Sequence, residues 1–408
     1  MEKAEEAVSL SERLVGAGVV SRLGESLQTH LPGANYLLVC DDATWLAAGE
    51  RVRQMLFTHV GITPFSFGRA PLASTENAGK LVAQAAAMDG LIAVGSGTIN
   101  DLTKYAATVA GKPYISIATA ASMNGYNSAT ASLEHHGFKH SYPARPPRLV
   151  IADLDVIIAA PRRLSRAGLG DTLCRTSVES DTLLAHYLFD APYLREAFEQ
   201  FRQYETTLVT QSTGFKQNDP AYFELLMHAL LDTGEWMAKS GSSAIASQGE
   251  HMIVHTAELM YGAELCNYTH GELVALATIT HSNLQEKMLL GKPVVRAMPR
   301  EEHHFIRQFG RAAGPDLFAL YHKKANMVDD VDGLQRKLDG LWQEIKAAIL
   351  AIQQPSGVLE RLYRQLNLPT ATSDLRLNAD RYQSAVTYAY LTRDRFTFLD
   401  LAAMSVKR

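Results

Sequence analysis

Residues 91–101 read Leu-Ile-Ala-Val-Gly-Ser-Gly-Thr-Ile-Asn-Asp. This short apolar run leads through two glycines into a helical pattern, as a parallel strand leads into its crossover helix. Further apolar runs of this kind, separated by helical patterns, lie at 36–40, 114–117 and 148–152. The repetition predicts an α/β domain over residues 1–160, with a parallel sheet that helices cover on both faces.

The second part of the chain has helical periodicity and no strand signal after about Pro161. Apolar residues recur at helical spacing in long segments at 168–187, 222–239, 247–261, 271–290 and 333–352. Glycine and proline stand mainly at the ends of these segments, where helices stop. We therefore predict an all-α domain over residues 161–408.

Composition excludes several classes of function. The 39 basic and 43 acidic residues give a net charge of −4 without a basic block, unlike a nucleic-acid binder. No stretch approaches the roughly 20 apolar residues that a membrane helix needs, and the acidic N-terminus lacks a secretory signal pattern. The cysteines, Cys40, Cys174 and Cys266, are too widely spaced for a disulfide framework or a thiolate zinc site. The expected location is the cytoplasm.

Three places in the helical part contain aspartate or histidine, residue types that often bind metals. Asp171 ends Gly-Leu-Gly-Asp and is expected at the start of a long helix, and His270 opens another. Ser247 and Glu250 fit a capping box that would start a helix just before His251. His255 then lies on the same helical face as His251, so these residues could hold a divalent ion with one coordination position open. On spacing alone, a helix-start role for Asp171 and a core or surface role for the histidine pair are more common than metal binding.

Three strand ends contain candidate cofactor residues. The turn formed by Gly95, Ser96 and Gly97, with Asp101 in the following helix, could bring backbone N–H groups to a pyrophosphate. The alternative is a plain tight turn with Thr98 as the N-cap. Asp41, or its neighbour Asp42, could accept hydrogen bonds from a ribose, which favours NAD over NADP; otherwise it is a turn residue. Another strand end leads into a polar loop that contains Thr119, Ser122, Asn124 and Ser128.

Taken together, these motifs resemble the sn-glycerol-1-phosphate dehydrogenase family. This family is a branch of the iron-containing alcohol dehydrogenase and glycerol dehydrogenase group, which is related in fold to dehydroquinate synthase. The resemblance runs from about Tyr36 to the closing helical motif at 391–401. It is carried by the motifs at 122–126, 143–147 with 151–155, 167–171, 240–243 with 249–251, and 270–271.

The resemblance implies a dehydroquinate synthase-like fold, with NAD in the first domain and metal and substrate in the second. It implies that Asp171, His251 and His270 bind one divalent metal, with Zn²⁺ favoured and Ni²⁺ or Fe²⁺ as alternatives. It places His255 near the nicotinamide as a catalytic residue. The expected cofactor is NAD, with NADP as the alternative, and it is expected to contact Asp41, Gly95, Ser96, Gly97, Asp101, Thr119, Ser122 and Ser128.

The chain departs from the family pattern close to the expected substrate. Asn124 replaces an aspartate, so we expect the proton that the reduced ketone takes up to come from solvent or from His255. The Asn124 amide is expected to hydrogen-bond a substrate hydroxyl. Ala244 and Ile245 replace an Arg-Pro pair that could hold phosphate. Arg175 stands where some relatives have a fourth, histidine ligand; it is a candidate phosphate contact or else a surface charge.

The expected reaction converts a small ketone, such as dihydroxyacetone phosphate, and its polyol phosphate into each other. The expected partner is this phosphorylated small molecule, with no nucleic acid and no membrane, and a homo-oligomer is compatible with the sequence. The alternatives are a dehydroquinate synthase-type carbocycle-forming enzyme, a reductase of a different small aldehyde or ketone, and a non-catalytic relative.

Overall fold

The computed structural model describes residues 11–135, 138–298 and 301–406. Its strands are β1 Glu12–Gly16, β2 Asn35–Cys40, β3 Gly61–Ser66, β4 Gly90–Gly95, β5 Tyr114–Ala118, β6 Thr130–His135, β7 Phe138–Pro143 and β8 Leu149–Asp153. Its α-helices are α1 Leu23–His30, α2 Asp42–Thr44, α3 Glu50–Leu56, α4 Thr75–Ala85, α5 Gly97–Val109, α6 Leu154–Ala159, α7 Arg162–Thr172, α8 Arg175–Phe189, α9 Arg195–Thr210, α10 Ser212–Gln217, α11 Pro220–Ser240, α12 Gly249–Leu265, α13 His270–Leu289, α14 Glu302–Met327, α15 Val331–Leu350, α16 Ser356–Gln365, α17 Ala379–Tyr388 and α18 Phe398–Met404.

Six of the strands form one parallel sheet in the order β1-β8-β5-β4-β2-β3, and β6 pairs with β7. Along β2, Leu37 and Val39 belong to one apolar core and Leu38 belongs to another. Because neighbouring side chains of a strand point to opposite faces, the sheet is buried on both faces. This confirms the predicted parallel α/β arrangement, and the described residues after β8 contain helices but no further named strand.

The two edge strands, β1 and β3, were not predicted. Their residues are mostly half-buried or exposed, whereas the central strands are buried almost throughout. An edge strand has a neighbour on one side only, so its sequence does not form a continuous apolar run. The proline at position 64 in β3 also fits an edge position.

The described chain forms two compact units. The first comprises residues 11–135, 139–172 and 206–242, so it contains the sheet together with α7 and α11. The second comprises residue 138 and residues 173–205, 243–298 and 301–406. The predicted functional domains, 1–160 and 161–408, remain a prediction. No helix among the described residues has the length and apolar content needed to cross a bilayer.

The predicted helix over 168–187 is in fact two helices, α7 and α8, with Leu173 and Cys174 between them. Asp171 therefore lies in the last turn of α7, and its expected place at the start of a long helix was wrong. The reason is Gly168, which looks like a helix boundary but lies inside α7. A Cβ atom at this position would lie 2.1 Å from the carbonyl oxygen of Ala121, so only glycine permits this close packing.

Gly168→Ala is expected to lower the free energy of unfolding by about 1–3 kcal/mol, the usual cost of overpacking. The clash is with backbone, which cannot move aside as a flexible side chain can. Gly79→Ala in the exposed part of α4 is the matched control, because nothing lies within 4 Å of the added Cβ. That control should raise stability by about 0.4–1 kcal/mol. Urea unfolding measures both, and equal effects would contradict the packing argument.

Candidate functional site

In the first unit, the predicted cofactor residues gather at the carboxyl ends of neighbouring strands. Asp41, Gly95 and Thr119 follow or end β2, β4 and β5, which are adjacent in the sheet. The backbone N–H of Thr119 donates to the carbonyl oxygen of Gly95 at 3.1 Å. Parallel sheets bind ligands outside this edge. The structure therefore brings these residues together as expected, while their contacts with a cofactor remain a prediction.

The glycine turn leads directly into α5, whose N-cap is Ser96 and not Thr98. The Ser96 side chain makes no capping hydrogen bond, and α5 starts at Gly97. A Cβ at Gly95 would lie 2.5 Å from that of Ile99, so the tight turn requires glycine for packing reasons alone. The first N–H groups of a helix lack intrahelical partners and can donate hydrogen bonds to an anion.

Asp41 also has a structural role. Its carboxylate accepts hydrogen bonds from the backbone N–H and the hydroxyl of Thr44, at 2.8 and 2.9 Å, and caps α2. The ribose contact and the turn role predicted for Asp41 are compatible with each other, because only one carboxylate oxygen makes these bonds. Asp41 also follows the carboxyl end of β2, and parallel sheets bind ligands outside such strand ends.

A buried lysine, Lys104, fixes the loop that follows β5. Its ammonium group donates to the carbonyl oxygens of Gly125 and Thr130, at 2.6 and 3.0 Å, and to the hydroxyl of Ser128 at 3.1 Å. It also lies 3.7 Å from the carboxylate of Asp101. Asp101 and Ser128, both predicted cofactor contacts, therefore make their observed polar contacts with the protein itself.

Ser122 and Asn124 belong to the same loop. The Tyr126 hydroxyl hydrogen-bonds to Ser122 and donates to the carbonyl oxygen of Ala120 at 2.6 Å. The backbone N–H of Asn124 donates to the Asp171 carboxylate at 3.0 Å. The structure thus joins a predicted metal ligand to the predicted substrate loop within the first unit.

In the second unit, three imidazole rings form a cluster. The ring centroids of His251 and His270 are 5.3 Å apart, those of His255 and His270 5.4 Å, and those of His251 and His255 6.3 Å. His251 and His255 lie on one face of α12, as their spacing predicted. His270 is the first residue of α13, capped by Thr269 in a capping box with Glu272. We call these three histidines the histidine cluster.

Glu250 orients the His251 ring. Its carboxylate accepts hydrogen bonds from the His251 Nδ1 at 2.8 Å and from the Ser177 hydroxyl at 2.6 Å. Burial opposes ionisation, but the hydrogen bond from His251 brings the pKa of the Glu250 carboxyl to about 2. An ionised carboxylate only accepts, so Nδ1 of His251 carries the proton and the lone pair of the ring is on Nε2.

The predicted capping box at the start of α12 was wrong. The N-cap is Gln248, without a side-chain cap, and Glu250 accepts from the backbone N–H of Gln248 at 2.8 Å. Ser247 therefore has no capping role. Sequence reasoning assigned Glu250 to the helix end because tertiary partners such as Ser177 cannot be read from local spacing.

Glu258 joins the other two histidines of the cluster. One of its oxygens lies 3.2 Å from the His255 Nδ1 and the other lies 3.8 Å from the His270 Nδ1. Burial lowers the pKa of His255 to about 3, so its imidazole is neutral at physiological pH. Neutral imidazoles bind metals and charged ones do not. His251, which is hydrogen-bonded through Nδ1 to Glu250, has its lone pair on Nε2 and so fits a divalent ion, whereas the neutral His255 is suited to accept a proton.

Arg175 was predicted as a phosphate contact or a surface charge; the surface charge was wrong, and the phosphate contact finds no support in the observed partners. Its side chain is buried and is hydrogen-bonded to Glu179 at 2.6 Å and to Glu205 at 2.7 Å. Its charge is thus neutralised inside the second unit. A guanidinium held by two carboxylates joins helices α8 and α9.

A second group of acidic and basic residues lies deeper in the second unit. Asp181 accepts from His281 Nε2 at 2.8 Å, from the backbone N–H of Gly249 at 3.0 Å and from that of Phe398 at 2.9 Å. These donors occupy both carboxylate oxygens. The group is therefore a hydrogen-bond network that fixes the start of α12.

Sequence reasoning did not single out Lys104, Glu258 or the orienting role of Glu250. Glu258 follows His255 by three residues and so lies on the same helical face, a signal that could have identified it. The burial of Lys104 could not be predicted, because a helical pattern does not distinguish a buried lysine from an exposed one.

Glu250→Gln is expected to lower metal affinity about 10–100-fold, the usual effect of removing a carboxylate that orients a histidine ligand. Competition with a chromogenic chelator measures the affinity, and Glu360→Gln on the exposed face of α16 is the control. Thermal unfolding without metal shows whether the fold is intact. Unchanged affinity in a folded variant would disprove the orienting role.

Comparison with known proteins shows which fold class the chain has. A family model of iron-containing alcohol dehydrogenases matches residues 14–161. A glycerol dehydrogenase from Schizosaccharomyces pombe superposes with a TM-score of 0.66, at 18% identity, over 100% of this chain and 88% of that chain. A probable glycerol dehydrogenase from Sinorhizobium meliloti gives 0.64, at 19% identity, over 98% and 93%. The fold is that of the iron-containing alcohol dehydrogenases.

Sequence relatives define the family within this class. A glycerol-1-phosphate dehydrogenase (NAD(P)+) of Methanospirillum hungatei is 32% identical over 267 residues, 65% of this chain and 72% of that protein. The same enzyme of Halalkalibacterium halodurans is 28% identical over 359 residues, 85% of this chain and 86% of that protein. The chain belongs to the glycerol-1-phosphate dehydrogenase family.

Proposed function

We propose that this protein is a metal-dependent, NAD(P)H-linked dehydrogenase. It converts dihydroxyacetone phosphate, or a similar small phosphorylated ketone, and the corresponding polyol phosphate into each other. The observation that carries the proposal is the histidine cluster, in which Glu250 fixes the His251 ring. The names of the relatives, glycerol-1-phosphate dehydrogenases acting with NAD(P)+, support the substrate class.

His251 and His270 are the proposed imidazole ligands, and Asp171 is the proposed carboxylate ligand. Asp171 precedes Cys174 by three residues, and the Cys174 sulfur lies within 4.8 Å of ligand atoms of Glu250 and His251. One carboxylate and two imidazoles suit Zn²⁺, with Ni²⁺ or Fe²⁺ as alternatives.

If Asp171, His251 and His270 hold a divalent ion, that ion would supply Lewis-acid polarisation of a substrate carbonyl. The protein supplies the orientation of this site: Glu250 holds His251, and Asn124 donates its backbone N–H to the Asp171 carboxylate. Asn124 is proposed to hydrogen-bond a substrate hydroxyl through its amide. His255, neutral and donating its Nδ1–H to Glu258, can accept a proton at Nε2 and then release that same proton.

For the nucleotide, we propose that the backbone of Gly95, Ser96 and Gly97 binds the pyrophosphate at the start of α5. Asp41 is proposed to accept from the ribose, and Thr119 and Ser122 to line the nicotinamide end. We assign Asp101 and Ser128 to the support of this loop through Lys104, because that lysine lies against both.

The direct test is to reconstitute the purified protein with Zn²⁺, Ni²⁺ or Fe²⁺ and follow NADH and NADPH absorbance with dihydroxyacetone phosphate. Net oxidation of the nicotinamide is expected. A carbocycle-forming enzyme would show no net change, and a reductase of a different substrate would act on other ketones or aldehydes in the same panel. No turnover with any metal and any ketone would reject the proposal. The cytoplasmic location and the oligomeric state remain predictions.

A further inference from the structure

A segment near the chain end lies along the first turns of α12. The Arg395 guanidinium donates to the Ser243 hydroxyl at 2.7 Å and to the carbonyl oxygen of Ser247. These two residues flank Ala244, so the loop before α12 receives a guanidinium from this segment although it has none of its own. Burial lowers the pKa of Arg395 to about 10, so it stays charged at neutral pH.

Three residues earlier, Thr392 attaches the segment to α12 a second time. Its hydroxyl oxygen lies 3.1 Å from that of Thr256, which follows His255 in the sequence. Arg393 is therefore fixed between two attachment points, at the level of the histidine cluster. The positive charge of Arg393 acts on His255 and contributes to its lowered pKa, which is caused mainly by burial.

Arg393 has a charge without a close partner. Within residues 11–135, 138–298 and 301–406, no hydrogen bond or ion pair to its guanidinium is present, and the acidic groups that act on it are Asp394 and Glu258. Burial lowers its pKa, against the effect of both acids. A partly buried cation with no bonded anion is unfavourable, and an anionic ligand would relieve that cost.

We propose that Arg393 binds the phosphate group of the substrate beside the histidine cluster and that Arg395 positions the segment that carries it. This inference rests on the proposed function. A guanidinium offers paired N–H donors whose geometry matches two phosphate oxygens, which an ammonium group cannot match. Recognition of the phosphate at Arg393 would place the other end of a three-carbon substrate towards the histidine cluster.

The test compares Arg393→Gln, Arg393→Lys and the surface control Arg364→Gln, all reconstituted with the same metal. Arg364 is exposed and pairs with Glu360 on α16, so its loss should change nothing. For Arg393→Gln, the KM for dihydroxyacetone phosphate should rise about 10–100-fold, as expected for the loss of a charged hydrogen bond. The KM for NADH and the rate with unphosphorylated dihydroxyacetone should stay within about 2-fold. Arg393→Lys should recover part of the loss.

Two outcomes would overturn the inference. Equal losses with the phosphorylated and unphosphorylated ketone would show a role unrelated to phosphate. A raised KM for NADH alone would assign the guanidinium to the cofactor phosphates. If the wild-type protein reduces no ketone, the proposed function fails, and calorimetric titration with glycerol 1-phosphate and with glycerol still decides whether Arg393 binds a phosphate monoester.

Discussion

Replacement of His270 by alanine is expected to remove the bound metal and lower kcat/KM for the ketone by at least about 10³-fold. A divalent ion supplies several kcal/mol of charge stabilisation to a developing alkoxide, and each 1.36 kcal/mol is a tenfold change in rate. His251→Ala should have the same effect, because each change leaves one imidazole in the proposed ligand set. Metal content per protein chain, measured by mass spectrometry, and NADH oxidation are the two readouts.

The controls for this prediction use other histidines. His303 is exposed, with 69% of its side chain accessible, and His303→Ala should keep full metal content and activity. His255→Asn should retain the metal and lose activity, because His255 is assigned to catalysis and not to ligation. The metal assignment is wrong if His251→Ala and His270→Ala both keep the metal and the full rate.

The second large effect concerns stability. Lys324 in α14 and Asp400 in α18 are fully buried, and the Lys324 Nζ lies 2.7 Å from the Asp400 carboxylate. Lys324 also donates to the carbonyl oxygen of Tyr390. Lys324→Met leaves a buried carboxylate without its counter-charge, so the free energy of unfolding should fall by about 3–5 kcal/mol. Urea unfolding followed by circular dichroism measures the loss.

The loss of stability in Lys324→Met should be smaller at lower pH. Burial raises the pKa of the Asp400 carboxyl, and Lys324 acts against this. Without Lys324 the folded-state pKa rises further above the unfolded value of about 3.9. A carboxyl with a raised folded-state pKa stabilises the fold less as pH rises. The deficit of Lys324→Met should therefore be smaller at pH 5 than at pH 8.

The double variant Lys324→Met with Asp400→Asn is the control for this prediction. It removes both charges, while the asparagine oxygen can still accept the hydrogen bonds that Asp400 receives from Thr397. The double variant should be more stable than Lys324→Met at pH 8. Equal stability of the two variants, with no pH dependence, would show that the ion pair contributes little.

The sequence alone determined the parallel sheet and the helical remainder of the chain, and it supplied the candidate residues of the site. Central strands of a parallel sheet are buried on both faces, so β4 and its neighbours appear as continuous apolar runs. The spacing of His251 and His255 places them on one face of any helix. The family motifs added His270 and Asp171, which no periodic pattern could have connected.

The tertiary structure decided what each charged side chain contacts. Arg175 appeared to be available to a phosphate, but it is neutralised by carboxylates from α8 and α9. Arg393 had no predicted role, yet it is the guanidinium that lies beside the histidine cluster without a bonded partner in the described chain. Periodicity fixes which residues share a face of their own helix. It contains no information on which remote carboxylate, glycine or backbone carbonyl packs against that face, because those partners come from distant parts of the chain.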